Sequence, residues 1–257
     1  MTDVATRPVV YRMPCMDEAI LRQEGGLDLY YPPGWQPGAA PLPAVVLVVG
    51  YPGNFRKMRA FVDWAKLVAS FGMVAVTYAP EQPDRDVVGV IRQVSAEAGL
   101  LGIDATRLGV WACSGHVPVA LSLLMSGEGG LRCAALLYGY LLDAAEAAAT
   151  FRFVNASAGR SVDDLPRDLP LLIVRAGRDE MPGLNAGIDA FVAQALRANL
   201  PLTLINHHTA PHAFDIAEDG DDIEASRLTV MRTLAFLQLH LRPGVMSVRE
   251  EKVGVDA

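Results

Sequence analysis

Four short segments of this chain carry groups capable of covalent chemistry. Cys113 and Ser114 stand side by side in "CSGH", Asp179 and Glu180 end "GRDE", and His207, His208 and His212 crowd into "NHHTAPHAFD". The fourth segment, "GYPGN" at residues 50 to 54, offers backbone N–H groups around two glycines. A serine hydroxyl is a poor nucleophile until an imidazole removes its proton, and the imidazole works best when a carboxylate holds its tautomer and stabilises the imidazolium. Nucleophile, acid, histidine and an amide-rich turn together make a set that performs acyl transfer. Neither glycine segment supplies G-x-G-x-x-G or G-x-x-x-x-G-K-[ST], so no phosphate cradle is indicated. No clustered ligand set points to a metal, and no cofactor is implied.

Each segment follows a run that reads as a buried β-strand. The runs are Val45 to Val49, Met73 to Tyr78, Leu108 to Ala112, Ala134 to Tyr138, Leu171 to Ala176 and Leu202 to Ile205, several of them apolar on consecutive positions, as strands buried on both faces should be. Helical period fills the intervals. Met58, Phe61, Val62, Ala65, Val68 and Ala69 mark one helix, Val87, Val90, Ile91, Val94 and Ala98 a second, and Ile188, Phe191, Val192, Ala195 and Leu196 a third. Leu234, Leu237 and Leu241 mark a last helix, stopped by Pro243 and Gly244. The alternation predicts an α/β fold with a mostly parallel sheet covered by helices on both faces. Ahead of it, "PVVYRMP" and "LDLYYP" read as two strands forming an antiparallel edge. Ligands of such sheets bind beyond the carboxyl ends of the strands, which is where the four chemical segments fall.

A chain of 257 residues is read as a single domain, 1–257, with a short lid at 141–170 or none, and a loose tail at 246–257. Half of its residues are hydrophobic, enough for a large core. The net charge of -7 and the absence of a Lys/Arg run argue against a nucleic-acid partner. The N-terminus lacks the pattern of a signal peptide and no apolar run is long enough to span a bilayer, so a cytoplasmic protein without a membrane partner is expected. Cys15, Cys113 and Cys133 are odd in number and lack C-x-x-C spacing, which indicates neither disulfides nor a thiolate zinc site.

The order nucleophile, acid, histidine is that of the α/β-hydrolase fold. From about Leu27 to Leu241 the chain resembles an α/β-hydrolase of the dienelactone-hydrolase-like and small-esterase branch, through "AVVLVVGYPGN", "GIDATRLGVWACSGH", "LLIVRAGRDE" and "PHAFD". The nucleophile elbow of that fold usually reads small-x-nucleophile-x-small. With Ser114 as nucleophile the flanks are Ala112 and His116; with Cys113 they are Trp111 and Gly115. Each choice leaves one large flank, so the local motif does not decide. The resemblance does, because its pattern places the nucleophile seven residues after the arginine, and Arg107 then indicates Ser114. Cys113 is the alternative nucleophile, since cysteine nucleophiles occur in true dienelactone hydrolases.

The resemblance further implies Asp179 as the acid and His212 as the base, leaving His207 and His208 at the surface or the pocket wall. It places the oxyanion between the backbone N–H of Gly115 and a second donor from "GYPGN". Pro52 has no N–H, so Tyr51 is the choice, with Gly53 behind it. His116 departs from the pattern; it widens the elbow, lines the pocket or marks lost catalysis, and no catalytic role is given to it. Arg56 and Arg178 are candidates by location for binding a substrate carboxylate. The expected activity is hydrolysis of a small-molecule ester or lactone through an acyl-enzyme. Its rivals are an acyltransferase or thioesterase on the same scaffold and a non-catalytic binding protein that kept the fold. Oligomeric state is left open, a homo-oligomer included.

Overall fold

The computed structural model describes residues 7–142, 144–216 and 222–243. Eight strands form one sheet: β1 (Ile20–Glu24), β2 (Leu27–Tyr31), β3 (Leu42–Leu47), β4 (Val74–Thr77), β5 (Ile103–Cys113), β6 (Leu131–Leu137), β7 (Leu171–Ala176) and β8 (Leu202–His207). Their spatial order is β1-β2-β4-β3-β5-β6-β7-β8. The six strands from β3 onward are parallel, and only the β1–β2 and β2–β4 pairs are antiparallel. The helices are α1 (Arg59–Ser70), α2 (Pro83–Ala96), the one-turn α3 (Ala98–Leu101), α4 (Val117–Met125), α5 (Ala145–Phe151), α6 (Leu184–Arg197) and α7 (Ile223–His240).

Local sequence explains these elements. The run "PAVVL" is apolar without alternation because β3 lies inside the sheet between β4 and β5, with helices above and below it. Helix α1 buries Phe61, Trp64, Ala65 and Val68 on one stripe, whereas α4 is buried on nearly every side and is apolar throughout. Helix α2 starts at Pro83, and the carboxylate of Asp86 in its first turn accepts the N–H groups of Glu81 and Gln82, both at 2.8 Å. The sheet separates two helical layers. Gln238 of α7 donates to the carbonyl of Phe71 just past α1, tying those two helices together on one face.

The antiparallel edge is built from different residues than expected. "LDLYY" is β2, but its partner is β1, joined through Gly25 and Gly26, both at positive φ (54° and 83°), the backbone of a tight hairpin turn. "PVVYRMP" forms no strand. Its backbone is taken by other partners: the N–H of Val9 goes to the Asp63 carboxylate, that of Val10 to the Asp215 carbonyl (2.8 Å), and Arg227 donates to the Val10 carbonyl. The segment is a strap across α1 and α7 rather than a sheet edge. Two strand ends also shift. Val48 and Val49 leave the ladder as the chain turns into Gly50, and β5 begins at Ile103 across a register irregularity with β3. The last helix ends at His240, before Pro243; Gly244 and the tail at 246–257 lie outside the described residues.

The described residues of the interval 141–170 form α5, one short 3₁₀ turn (Val162–Asp164) and loop. No helix among the described residues is long and apolar enough to cross a membrane.

Candidate active site

Strand β5 runs straight into Ser114, whose backbone turns to φ 51° before α4 begins at Val117. A positive φ is costly for a residue with a side chain and persists only where its surroundings impose it. Two glycines of neighbouring loops let the chain pack closely against this turn. A Cβ on Gly50 would overlap the Gly115 carbonyl and lie 2.7 Å from the His116 α-carbon, and one on Gly139 would overlap Val117 and come within 2.9 Å of the Ser114 carbonyl. Room for the backbone of the turn therefore comes from glycines 64 and 25 residues away in the chain from Ser114.

The hydroxyl of Ser114 lies 2.8 Å from Nε2 of His212, and Nδ1 of His212 lies 2.7 Å from Oδ2 of Asp179. The other carboxylate oxygen of Asp179 accepts the N–H of Met181 at 2.9 Å. The Asp179 side chain is wholly buried, while His212 keeps about a quarter of its ring accessible (26%). The acid and histidine loops are fastened together behind these residues: the N–H of Gly177 donates to the His207 carbonyl and that of Arg178 to the Ala210 carbonyl, each at 2.8 Å. The ring of Tyr138 meets His212 edge-on, with centroids 5.2 Å apart. Glu180 is exposed and takes no part.

Cys113 lies one residue away and faces a different neighbourhood. It is buried at the end of β5, and its thiol sits by the hydroxyl of Tyr138 and the carboxylate of Asp215. Burial first, and the Asp215 charge second, push that thiol well above its ordinary pKa, the reverse of what a thiolate nucleophile needs. Asp215 is fully buried, accepts from the Tyr138 hydroxyl at 2.5 Å, and is itself pushed up to about 6 by burial. Tyr138, at φ 34°, is thus a buried polar bridge between Cys113 and Asp215. The signal lay within "PHAFD" and "LLYGY", but neither segment reveals that one bonds the other across 77 residues.

His116 neither opens the elbow to solvent nor joins the triad-like chain. It is buried, and its Nδ1 accepts the N–H of Gly50 at 2.8 Å, which leaves the ring proton on Nε2. Burial lowers its pKa to about 3, so it is neutral. Tyr51, Phe55 and Phe61 surround it edge-on at 5.1, 5.4 and 5.3 Å.

That bond bears on the glycine turn, because Gly50 gives its N–H to His116 and Gly53, at φ 134°, gives its own to the Pro80 carbonyl at 2.9 Å. Gly53 is therefore committed elsewhere and is not a reserve oxyanion donor. Tyr51 folds back so that its ring faces Gly115. His207 is also corrected: it is a buried residue bonded to Ser226 at 3.0 Å, whereas His208 is exposed. Arg56 is held by Asp28 and the Gly26 carbonyl, at 3.2 and 3.0 Å.

A cavity of about 400 Å³ opens between α5 and the start of α6, lined by Tyr140, Leu141, Phe151, Pro182 and Phe191 among others. Tyr140 stacks on Phe153 at 5.2 Å, and Phe153 meets Tyr51 edge-on at 6.2 Å, so an aromatic wall runs from Gly115 to this cavity. Among the described residues no group of three or more His, Cys, Asp or Glu is placed to hold a metal ion.

No family model and no curated protein matches the chain in sequence. Solved structures match it in fold. A thermostable esterase from Pseudomonas putida aligns at 16% identity with a TM-score of 0.69, covering 91% of this chain and 86% of that one. Esterase 2 of Thermogutta terrifontis, in a form phosphonylated by sarin, aligns at 19% identity and a TM-score of 0.61, covering 87% and 94%. An inhibited esterase B from Lactobacillus rhamnosis aligns at 15% identity and a TM-score of 0.63, covering 89% and 90%. The mostly parallel eight-stranded sheet, its two helical layers and these likenesses make this an α/β-hydrolase fold.

Proposed function

We propose that the protein is a serine hydrolase of the ester or lactone class, of the dienelactone-hydrolase-like branch, working through an acyl-enzyme. The observation that carries this is the continuous hydrogen-bonded chain Ser114–His212–Asp179, at 2.8 and 2.7 Å, ending on a serine held in a strained elbow. Neighbours in fold that are named esterases support the same class of reaction. In this reading Ser114 attacks the acyl carbon while Nε2 of His212 takes its proton, and Asp179 stabilises the imidazolium. The Gly115 N–H binds the oxygen on which charge develops. His212 then returns the proton to the leaving alkoxide, and water repeats the sequence to release the acid.

The substrate is a small molecule whose acyl part enters the cavity beside Tyr140, with the 141–170 segment as a short cap. The chain forms one functional domain and acts in the cytoplasm without a dissociable cofactor.

The test is a fluorophosphonate probe followed by mass spectrometry of the modified peptide. Labelling at Ser114 is expected, and Ser114→Ala and His212→Ala should each lower ester turnover by at least about 10³-fold. Cys113→Ala should keep turnover within a few-fold of the unmodified protein. Labelling at Cys113 by a thiol probe with loss of turnover in Cys113→Ala would transfer the nucleophile's role.

A further inference from the structure

The oxyanion needs two donors, and the backbone of the glycine turn is poorly supplied. The N–H groups of Val49, Gly50 and Gly53 are bonded to the Tyr78 hydroxyl, His116 and Pro80, and Pro52 has none, which leaves the N–H of Tyr51 as the one backbone donor of residues 49–53 not committed among the described residues. The same residue brings a second donor, its phenolic hydroxyl, beside Gly115. A Cβ built on Gly115 would overlap its hydroxyl, so that hydroxyl lies in van der Waals contact with the α-carbon next to the Gly115 N–H. Among the described residues it has no hydrogen-bond partner, although burial raises its pKa to about 12 and keeps it a protonated donor. Its ring is packed by His116 at 5.1 Å, Phe153 at 6.2 Å and Phe55 at 6.0 Å, which holds the hydroxyl beside Gly115.

We propose that the phenolic hydroxyl of Tyr51 is the second oxyanion donor, acting with the backbone N–H of Gly115, and that His116 is the residue that positions it. The proposal rests on the acyl-enzyme reading above. As the bond from Ser114 Oγ to the acyl carbon forms, the π pair of the carbonyl moves onto its oxygen and the serine proton moves to His212. The Tyr51 O–H shares its hydrogen with that oxygen throughout and transfers no proton. When the tetrahedral centre collapses, the pair returns to the carbonyl and the alkoxide leaves with the proton from His212. His116 contributes twice: it removes the Gly50 N–H from competition and braces the Tyr51 ring.

The experiment compares Tyr51→Phe with the unmodified protein on a p-nitrophenyl ester of a short acid, together with the rate at which a fluorophosphonate labels Ser114. The ring and its packing are kept and no existing hydrogen bond is broken. The melting temperature should therefore hold, while kcat falls by about 10²–10³-fold with KM nearly constant and labelling slows in parallel. Gly115→Ala is the independent variant. Gly115 is not at positive φ, so the added methyl acts through its contacts, pushing away the end of the Tyr51 side chain and the Phe153 ring edge, and its loss of kcat should be far from additive with that of Tyr51→Phe. A Tyr51→Phe protein with kcat and labelling rate within about three-fold of the original overturns the proposal, returns the second donor's role to the backbone N–H of residue 51 and leaves the acyl-enzyme reading intact. Absence of both turnover and Ser114 labelling in the unmodified protein overturns both.

Discussion

Ser114 and Cys113 are adjacent in the chain and opposite in circumstance. One is turned by a positive φ toward an imidazole; the other ends a strand against a phenol and a buried carboxylate. Two further buried groups, His116 and Asp215, give the site a pH signature. His116 is lowered to about 3, so its contribution to stability is complete above the ordinary histidine value of 6.5 and is lost as pH falls toward 3. Asp215 is raised to about 6, so its contribution is complete below the ordinary 3.8 and is lost as pH rises through 6. Between pH 4 and 6 the two slopes oppose each other, each at up to about 1.4 kcal/mol per pH unit. Urea unfolding midpoints should separate them. Relative to the unmodified protein, His116→Asn should gain stability on acidification from pH 6 to 4, and Asp215→Asn should lose it; parallel profiles for all three proteins would contradict the buried, neutral state of His116.

Among the elements, the elbow depends on loops that follow other strands. Gly50 ends the segment after β3 and Gly139 the segment after β6, and both adjoin the turn between β5 and α4. Ordinary elbows need small flanks because strand and helix pass closely. In this chain glycines after the two neighbouring strands give the backbone of the turn its room, and the His116 ring packs among Tyr51, Phe55 and Phe61. Gly50→Ala should therefore behave as overpacking against backbone rather than as a loop substitution. It should cost about 1–3 kcal/mol in chemical denaturation and reduce Ser114 labelling at the same time. An unchanged midpoint would show that the β3 loop yields without moving the elbow. The same interplay of elements explains the leading hairpin: Gly25 and Gly26 supply the turn, and the half-buried alternation of "ILRQE" suits an edge strand better than "PVVYRMP", whose backbone is bonded elsewhere.

Across the whole molecule, the strap at residues 7–13 ties α1 and α7 to the loop that carries His212. Asp63 of α1, almost wholly buried, accepts from Arg59 at 2.8 Å, from Arg12 at 3.3 Å and from the Val9 N–H, and the next residue, Val10, bonds the backbone of Asp215. Asp63→Ala leaves two arginines that can turn to solvent but releases the strap's anchor. It should lower stability by about 1–3 kcal/mol and expose residues 7–13 to proteolysis before the core unfolds. Cleavage that begins elsewhere would show that the strap is held by its other contacts.

The alternation of apolar runs with helical period was readable along the chain, because strands buried on both faces must be apolar and helices must show one stripe. The segments carrying Asp179 and His212 were likewise legible at the sheet's carboxyl edge, whereas the choice of these two over Glu180, His207 and His208 came from the resemblance. Choosing between Cys113 and Ser114 was not possible from the elbow motif alone, because each choice left one large flank. Tertiary structure separates them: the same backbone turn aims one side chain at His212 and buries the other against Tyr138 and Asp215. The fit of His116, the bond from Tyr138 to Asp215 and the approach of Tyr51 to Gly115 were beyond reach for one reason. Each is a contact between residues 64 to 77 positions apart, set by how adjacent loops meet above the sheet, and local pattern carries no record of it.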